Sequence, residues 1–540
     1  MSGERQMIAV RQIIYCLATL LLPYQVAAQR PFFDRTHASK VFGEARHYRI
    51  FLPPDYESSR QSYPVIYYFH GHSDRYTLEK YDNGTDTVPK IAAFVASHPV
   101  IVVAVDGYVA RAYTGFYGGS PWDLLEDGGD YDFGAYFREL VSHIDGAYRT
   151  QTSRRARATS GLSMGGFMSL YLSARYPDLI GSASAFNPGP EFYVGEKGRR
   201  MLWRPKDHVG NHTRVMVRLI RASGDYISQY HEETREAYAR ADEVAFEYRR
   251  DEYHRHWATS IAETFDFHLR AFANPILNNV PDNWDHDNAS ADFDVWNYRV
   301  RAEGAEPGFT CLEDVNQGGL RVTTRKWAPD GAPVATHRVT ITTAPLYQAS
   351  MPYLILDHNV STGVTSRKEA RTDQDGRLTL VTDGGGHQFS FVGPGTGGQP
   401  PVVLPLTAKD RLRLAPEQEL LLPIRIYNPR GVAMESVRVT LTSEYPTVRM
   451  IAGETVIPKI EPGAAVDVSE RLRVRFTSGE GYFAPTRLLL MLAYDGWHSV
   501  SKNVDVLVIP EIIETAREVM VLDGRTASLN VFRQKGNQGG

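Results

Sequence analysis

Two short segments constrain the fold of this 540-residue chain more than any others. Pro64-Val65-Ile66-Tyr67-Tyr68-Phe69 and the run from Pro99 to Val105 are apolar β-formers at nearly every position. Each ends in a turn signal, His70-Gly71 and Asp106-Gly107. A strand that is apolar on both sides has to be covered on both sides, as in a parallel sheet with helices above and below. Helical periodicity follows, with Phe133, Phe137, Leu140, Val141 and Ile144 on one face. Another apolar helical stretch runs from Phe167 to Ala174 and is stopped by Pro177. Ala183 to Phe186 and Val215 to Ile220 supply further core strands. This alternation over residues 29–276 predicts an α/β unit built on a doubly wound, mostly parallel sheet.

The pattern changes after about residue 277. Helical periodicity nearly vanishes, and strands with one apolar and one polar face take over, as in Val339-Thr340-Ile341-Thr342, Val437 to Leu441, Leu472 to Phe476 and Val504 to Leu507. A chain this long exceeds one hydrophobic core. The expectation is therefore two all-β sandwich (Ig-like) units, 277–395 with an acidic N-terminal linker and 402–510. The Gly- and Pro-rich stretch from Thr382 to Pro401 reads as the connection between them, and 511–540 as a tail, either disordered or the start of a further segment.

Arg5 and Arg11 precede an apolar run from Ile13 to Leu22, and Val26-Ala27-Ala28 presents small residues before Gln29. That order predicts a signal peptide over 1–28, and hence a secreted or periplasmic protein. The run is too short for a permanent membrane span, and no later segment is apolar for long enough. Removal of 1–28 leaves Cys311 as the sole cysteine, so no internal disulfide can form. A net charge of −4, with Lys and Arg scattered, gives no basis for a nucleic-acid partner.

The strongest chemical signal is Gly161-Leu162-Ser163-Met164-Gly165, between a strand and an apolar helix. In a nucleophile elbow, serine occupies a tight strand-to-helix turn that lifts its Oγ above the sheet, and glycines flank it because a Cβ there would collide with neighbouring backbone. Such a serine needs a base within hydrogen-bond reach and a carboxylate to orient that base. In the chain order Ser, acid, His, the acid is Asp225, just past the strand Val215–Ile220. The base is His254, in the loop after Val244–Tyr248, with His256 as the alternative and Asp251 as a second-choice acid. The oxyanion of a tetrahedral intermediate calls for two backbone N–H donors, assigned to Met164 and to His72 in the loop after the first core strand. His70 and His72 also form an H-x-H pair that zinc can bind, but no third ligand stands nearby, so neither a metal nor a cofactor is expected.

Val65 to Gly71, Val100 to Gly107, Tyr136-Phe137-Arg138-Glu139-Leu140, Tyr148-Arg149-Thr150 and Ser160-Gly161-Leu162-Ser163-Met164-Gly165-Gly166 resemble the Putative esterase family of α/β-hydrolases. That family includes esterase D, feruloyl esterases, enterochelin esterase and the mycolyltransferase antigens. The likeness covers residues 45 to about 272. It implies Ser163 as nucleophile, Asp225 as acid, His254 as base, and N–H donors at His72 and Met164. Family members often place a glycine before the histidine and an aromatic two residues after it, where this chain has Tyr253 and His256.

Two aromatic groups, Tyr113, Phe116, Tyr117 and Trp122, and Phe192, Tyr193, Met201 and Trp203, follow strand ends where such sheets bind ligands. Stacking on a sugar or phenolic ring and simple packing are both consistent with them. Asp282, Asp285, Asp287, Asp292 and Asp294 lack the glycine and glutamate of a calcium loop and read as a solvated linker. The combined expectation is a secreted serine carboxylic ester hydrolase that works through an acyl-enzyme and removes feruloyl- or acetyl-type groups from a carbohydrate. The β units would then dock carbohydrate or a surface. Acyl transfer to a sugar or lipid, and a non-catalytic carbohydrate-binding or adhesion protein, are the alternatives.

Overall fold

The computed structural model describes residues 31–72, 74–79, 87–109, 121–126, 131–222, 225, 227–239, 241, 244–251, 260–329, 331–393, 401–405, 412–414, 417–443, 448–476, 484–496, 498–508, 512–522 and 525–534. The segment read as a signal peptide lies outside them. In chain order the α/β unit comprises β1 (Phe33–Ala38), β2 (Ala45–Phe51), β3 (Val65–Phe69), α1 (Thr87–Ser97), β4 (Ile101–Val105), α2 (Phe133–Ala147), β5 (Arg157–Leu162) and α3 (Met164–Arg175). It continues through β6 (Ser182–Phe186), β7 (Phe192–Val194), β8 (Met201–Trp203), β9 (Met216–Ala222), α4 (Ser228–Ala239), β10 (Ala245–Asp251) and α5 (Ile261–Phe272).

Eight of these strands form one sheet in the order β1-β2-β4-β3-β5-β6-β9-β10. All pairs from β4 to β10 are parallel, and only β1 and β2 run against their neighbours. The doubly apolar β3 divides its side chains between two cores. Val65, Tyr67 and Phe69 join Phe137, Leu140 and Ile144 of α2 and Phe167 of α3. Ile66 and Tyr68 join Ile91, Phe94 and Val95 of α1 and Phe265 of α5. Both faces are thus covered, as the sequence of β3 demands. Helix α2 starts where Asp132 Oδ1 accepts the N–H of Gly134 at 2.9 Å. The same carboxylate is gripped by Arg175 at 2.6 and 2.7 Å, which ties the start of α2 to the end of α3.

Beyond the α/β unit, a six-stranded sheet (β11-β14-β15-β20-β17-β18) and a four-stranded sheet (β12-β13-β16-β19) enclose one core. These strands are β11 (Trp284–Asn288), β12 (Asp292–Val295), β13 (Tyr298–Glu303), β14 (Phe309–Asn316), β15 (Gly319–Arg325), β16 (Arg338–Thr342), β17 (Pro352–Asn359), β18 (Thr365–Arg371), β19 (Thr379–Asp383) and β20 (His387–Val392). A further all-β unit surrounds a core that includes Val403, Ile426, Val439, Val474 and Leu490.

Three segments differ from the sequence expectation. The stretch from Thr382 is not a linker at its start, because β20 lies fully buried between β15 and β17. Its preceding glycine serves close approach rather than flexibility: a Cβ on Gly384 would lie 2.3 Å from the Val334 carbonyl oxygen. Residues 512–522 and 525–534 pair as antiparallel strands, against the disordered reading of the tail and in line with its alternative, a further segment. The acidic stretch is not a linker, since Asp285 and Asp287 lie in β11 and Asp292 and Asp294 in β12, although Asp282, Asp292 and Asp294 are exposed.

Strand β11 docks on the α/β unit. Asp287 exchanges two hydrogen bonds with the Asn211 side chain, at 2.8 and 2.9 Å, and its carboxylate pairs with His208. His208 lies flat on Trp203, with ring centroids 4.7 Å apart. Arg154, just before β5, donates to the carbonyls of Pro177, Arg214 and Leu277 at 2.6–2.9 Å and reaches over the Trp296 ring. Burial pushes its pKa down to about 10. These contacts come from segments that precede β5, β6 and β9, and Arg199 of the β7–β8 hairpin adds bonds to the Gly304 and Glu306 carbonyls at 2.7 and 3.3 Å.

Buried histidines make the α/β unit acid-sensitive. His212, between Ser173 Oγ (2.8 Å) and Tyr238 OH (2.9 Å), and His268, on Ser182 Oγ (2.9 Å), are each pushed by burial to about 3. An unfolded histidine titrates near 6.5, so below that pH the unfolded chain takes up protons that the folded one refuses. Stability is therefore full above pH ~6.5 and falls as pH drops towards 3, by about 1.4 kcal/mol per pH unit for each group. Urea denaturation at pH 7, 6 and 5 should show this loss, with a shallower slope in His268→Gln. An identical slope in that variant would rule the histidine out as a source.

Candidate active site

The crest of the sheet is assembled around one turn. Strand β5 ends at Leu162 and α3 begins at Met164, leaving Ser163 alone to reverse the chain, at φ 55° and ψ −118°. A non-glycine residue at positive φ stores strain of order 1–3 kcal/mol and persists only when its surroundings impose it. Here the Ser163 N–H donates to the Phe186 carbonyl at 2.9 Å. The Ser163 carbonyl accepts from Phe167 N–H and Gly189 N–H, both at 3.0 Å. The side chain makes no capping bond to the helix and is half-buried.

Glycines make this geometry attainable. A Cβ on Gly165 would lie 2.0 Å from the Phe69 carbonyl oxygen and 2.5 Å from that of His70. One on Gly161 would lie 2.3 Å from Gly165 O. The first turn of α3 consequently rests on the carboxyl end of β3, beside the loop that carries His72. Met164, buried at the first helical position, points its N–H into the region where a helix N-terminus favours negative charge.

The loop after β3 is tied to the end of β4. His70 is buried, its Nδ1 lies 2.8 Å from the Gly71 carbonyl, and its Nε2 accepts the N–H of Gly107 at 2.9 Å. Both ring nitrogens are thus committed to the backbone, which removes the zinc reading of the His70–His72 pair. Burial lowers the His70 pKa and keeps the ring neutral. Arg75 clamps Asp106 with two bonds of 2.8 and 2.7 Å. Burial opposes ionisation of Asp106, but these bonds outweigh it and hold its pKa below the usual value.

Asp225 follows β9, two strands from β5 in the sheet, and its Oδ1 accepts the Ile227 N–H at 2.9 Å. The segment after β6 connects this region to the serine. Phe186 and Gly189 hold the Ser163 backbone, while Asn187, at φ 42°, accepts the Ala222 N–H at 2.7 Å and donates its own N–H to Ile220 O at 2.9 Å. Pro188 O lies 3.0 Å from Nε2 of buried His231 on α4. Sequence reasoning missed Asn187; its one trace is Asn-Pro-Gly directly after an apolar strand. Strands β9 and β10 end in register, Ala222 beside Asp251, so the loop after β10 leaves the sheet next to the Asp225 loop. His254 and His256 fall in that loop and lie outside the described residues. Of the flagged aromatics, Trp122, Phe192 and Trp203 are buried in the core, and Trp122 lies 4.6 Å from the His70 ring. Tyr113, Phe116 and Tyr117 lie outside the described residues.

Comparison with known proteins bears on the same region. A sequence profile for the family described as "Putative esterase" matches residues 39–263. "Esterase MT1326" of Mycobacterium tuberculosis is 31% identical over 158 residues, which are 28% of this chain and 31% of that protein's length. Among solved structures, a ferulic acid esterase (20% identity, TM-score 0.37) aligns with 45% of this chain and 98% of its own. An S-formylglutathione hydrolase from Agrobacterium tumefaciens (16% identity, TM-score 0.37) aligns with 45% of this chain and 95% of its own.

Substitutions at the glycines test the turn. Gly165→Ala should cost about 3 kcal/mol and lower the melting temperature by ~6–12 °C. Gly146→Ala, in α2 with nothing within 4 Å of its Cβ, should be neutral or slightly stabilising. Calorimetry that finds the two variants equally stable would disprove the close approach of α3 to β3.

Proposed function

We propose that this chain, whose residues 39–263 match the model of the Putative esterase family, is a serine carboxylic ester hydrolase with Ser163 as its nucleophile. The observation that carries the reading is the strained, glycine-flanked backbone of Ser163 between β5 and α3. A serine held this way presents Oγ at the carboxyl edge of the sheet, where the loops after β3, β9 and β10 also emerge.

In this mechanism His254, or His256 in its place, accepts the Ser163 proton as Oγ attacks the ester carbonyl. The resulting imidazolium then protonates the leaving alcohol. Water, deprotonated by the same histidine, attacks the acyl-enzyme and releases the acid. Asp225 orients the imidazole and stabilises its charged form. The N–H groups of Met164 and His72 receive the oxyanion at each tetrahedral stage. The chemistry calls for neither metal nor cofactor. Export through residues 1–28 and the attached β units favour an ester on an extracellular carbohydrate, of feruloyl or acetyl type, as substrate.

Fluorophosphonate should label the wild-type protein at Ser163 and leave Ser163→Ala unlabelled. On p-nitrophenyl esters, methyl ferulate and acetylated xylan, the same substitution should lower turnover by about 10⁴-fold or more with the fold retained. Equal turnover in both proteins would refute the proposal.

A further inference from the structure

The loop after β3 contains a device that aims a single peptide group. The Gly107 N–H donates to His70 Nε2 at 2.9 Å, so that nitrogen carries a lone pair and the proton resides on Nδ1. Nδ1–H in turn donates to the Gly71 carbonyl at 2.8 Å, which also accepts the Asp74 N–H at 3.3 Å. The peptide that joins Gly71 to His72 is trans and planar. Its C=O and N–H therefore point in opposite directions, and a bond that fixes the Gly71 oxygen also fixes the direction of the His72 N–H.

The imidazole has little freedom of its own. The His70 side chain is almost fully buried, and the Trp122 ring lies 4.6 Å away. Trp122 Nε1–H donates to the His70 carbonyl at 3.3 Å. A Cβ on Gly107 would come within 2.6 Å of the Trp122 ring, so only glycine lets the end of β4 approach closely enough for its N–H to reach Nε2. The Arg75–Asp106 clamp holds the far end of the same loop.

We infer that His70 is a positioning residue: held as the Nδ1–H tautomer by the Gly107 N–H, it orients the Gly71–His72 peptide so that the His72 N–H serves the oxyanion. This rests on the serine hydrolase reading and deepens it. A histidine that appears as half of a metal-binding pair in the sequence acts instead on the direction of a backbone dipole.

Two substitutions separate its roles. Asn at position 70 retains a donor near the place of Nδ1, whereas Gln retains an acceptor near the place of Nε2 but no donor for Gly71. Wild type, His70→Asn, His70→Gln and Ser163→Ala would be compared on p-nitrophenyl butyrate and for binding of an aryl trifluoromethyl ketone, whose hemiketal oxyanion mimics the intermediate. His70→Gln should lose about 10²-fold in kcat, the effect of one oxyanion donor. Its KM should stay within about threefold, and its ketone affinity should fall in proportion to kcat. His70→Asn should recover at least ~10-fold of that loss. Wild-type kcat and ketone affinity in His70→Gln, alongside an inactive Ser163→Ala, would overturn the inference. So would equal losses in both His70 variants that track their melting temperatures, which would reduce His70 to packing. An active Ser163→Ala would bring down the serine reading, and this inference with it.

Discussion

Everything at the crest depends on how closely one helix approaches one strand. The first turn of α3 lies against the carboxyl end of β3 at a distance that excludes even a methyl group at Gly165. That contact forces the chain to reverse within a single residue and places Ser163 at positive φ. It also brings the N-terminus of a helix beside the loop that holds His70, Gly71 and His72. Strain at the serine is retained because three backbone hydrogen bonds enclose it, two from the end of β6 and the turn after it and one from α3.

The sequence was most legible where physics leaves few options. Strands β3 and β4 are apolar on both faces and fit little other than the middle of a covered sheet. The Gly-x-Ser-x-Gly turn was legible because its glycines answer to local backbone geometry. Strands β1 and β2 escaped notice, since Phe-Asp-Arg-Thr-His-Ala at the sheet edge and Ala-Arg-His-Tyr-Arg-Ile-Phe beside it carry charged residues that hide the pattern. Arg49 in β2, for example, is paired with Asp34 in β1 at 2.7 Å, a satisfaction that composition does not reveal.

Where the reading went astray, a residue type had been assigned its commonest habit. Glycines around position 384 suggested flexibility, whereas they admit close backbone contact beside a buried strand. Aspartates after 280 suggested solvation. Asp282, Asp292 and Asp294 are exposed, yet Asp285 accepts the Asp314 N–H at 2.7 Å and Asp287 is engaged by Asn211 and His208, so these two side chains are spent on contacts inside the protein. His70 is the same lesson at the candidate site: its partner Gly107 is 37 positions away, and no local pattern connects them.

The docking of β11 has a consequence for access. Its partners, His208, Asn211 and the Arg154 region, lie where strands enter the sheet, whereas Ser163 sits where they leave it. The first β unit is fastened to the α/β unit at these points and also through Arg199 of the β7–β8 hairpin, which donates to the Gly304 and Glu306 carbonyls at 2.7 and 3.3 Å. Access to the serine is therefore set by the crest loops together with the connection from β6 to β9, which this unit braces at Arg199 and again at His208 and Asn211.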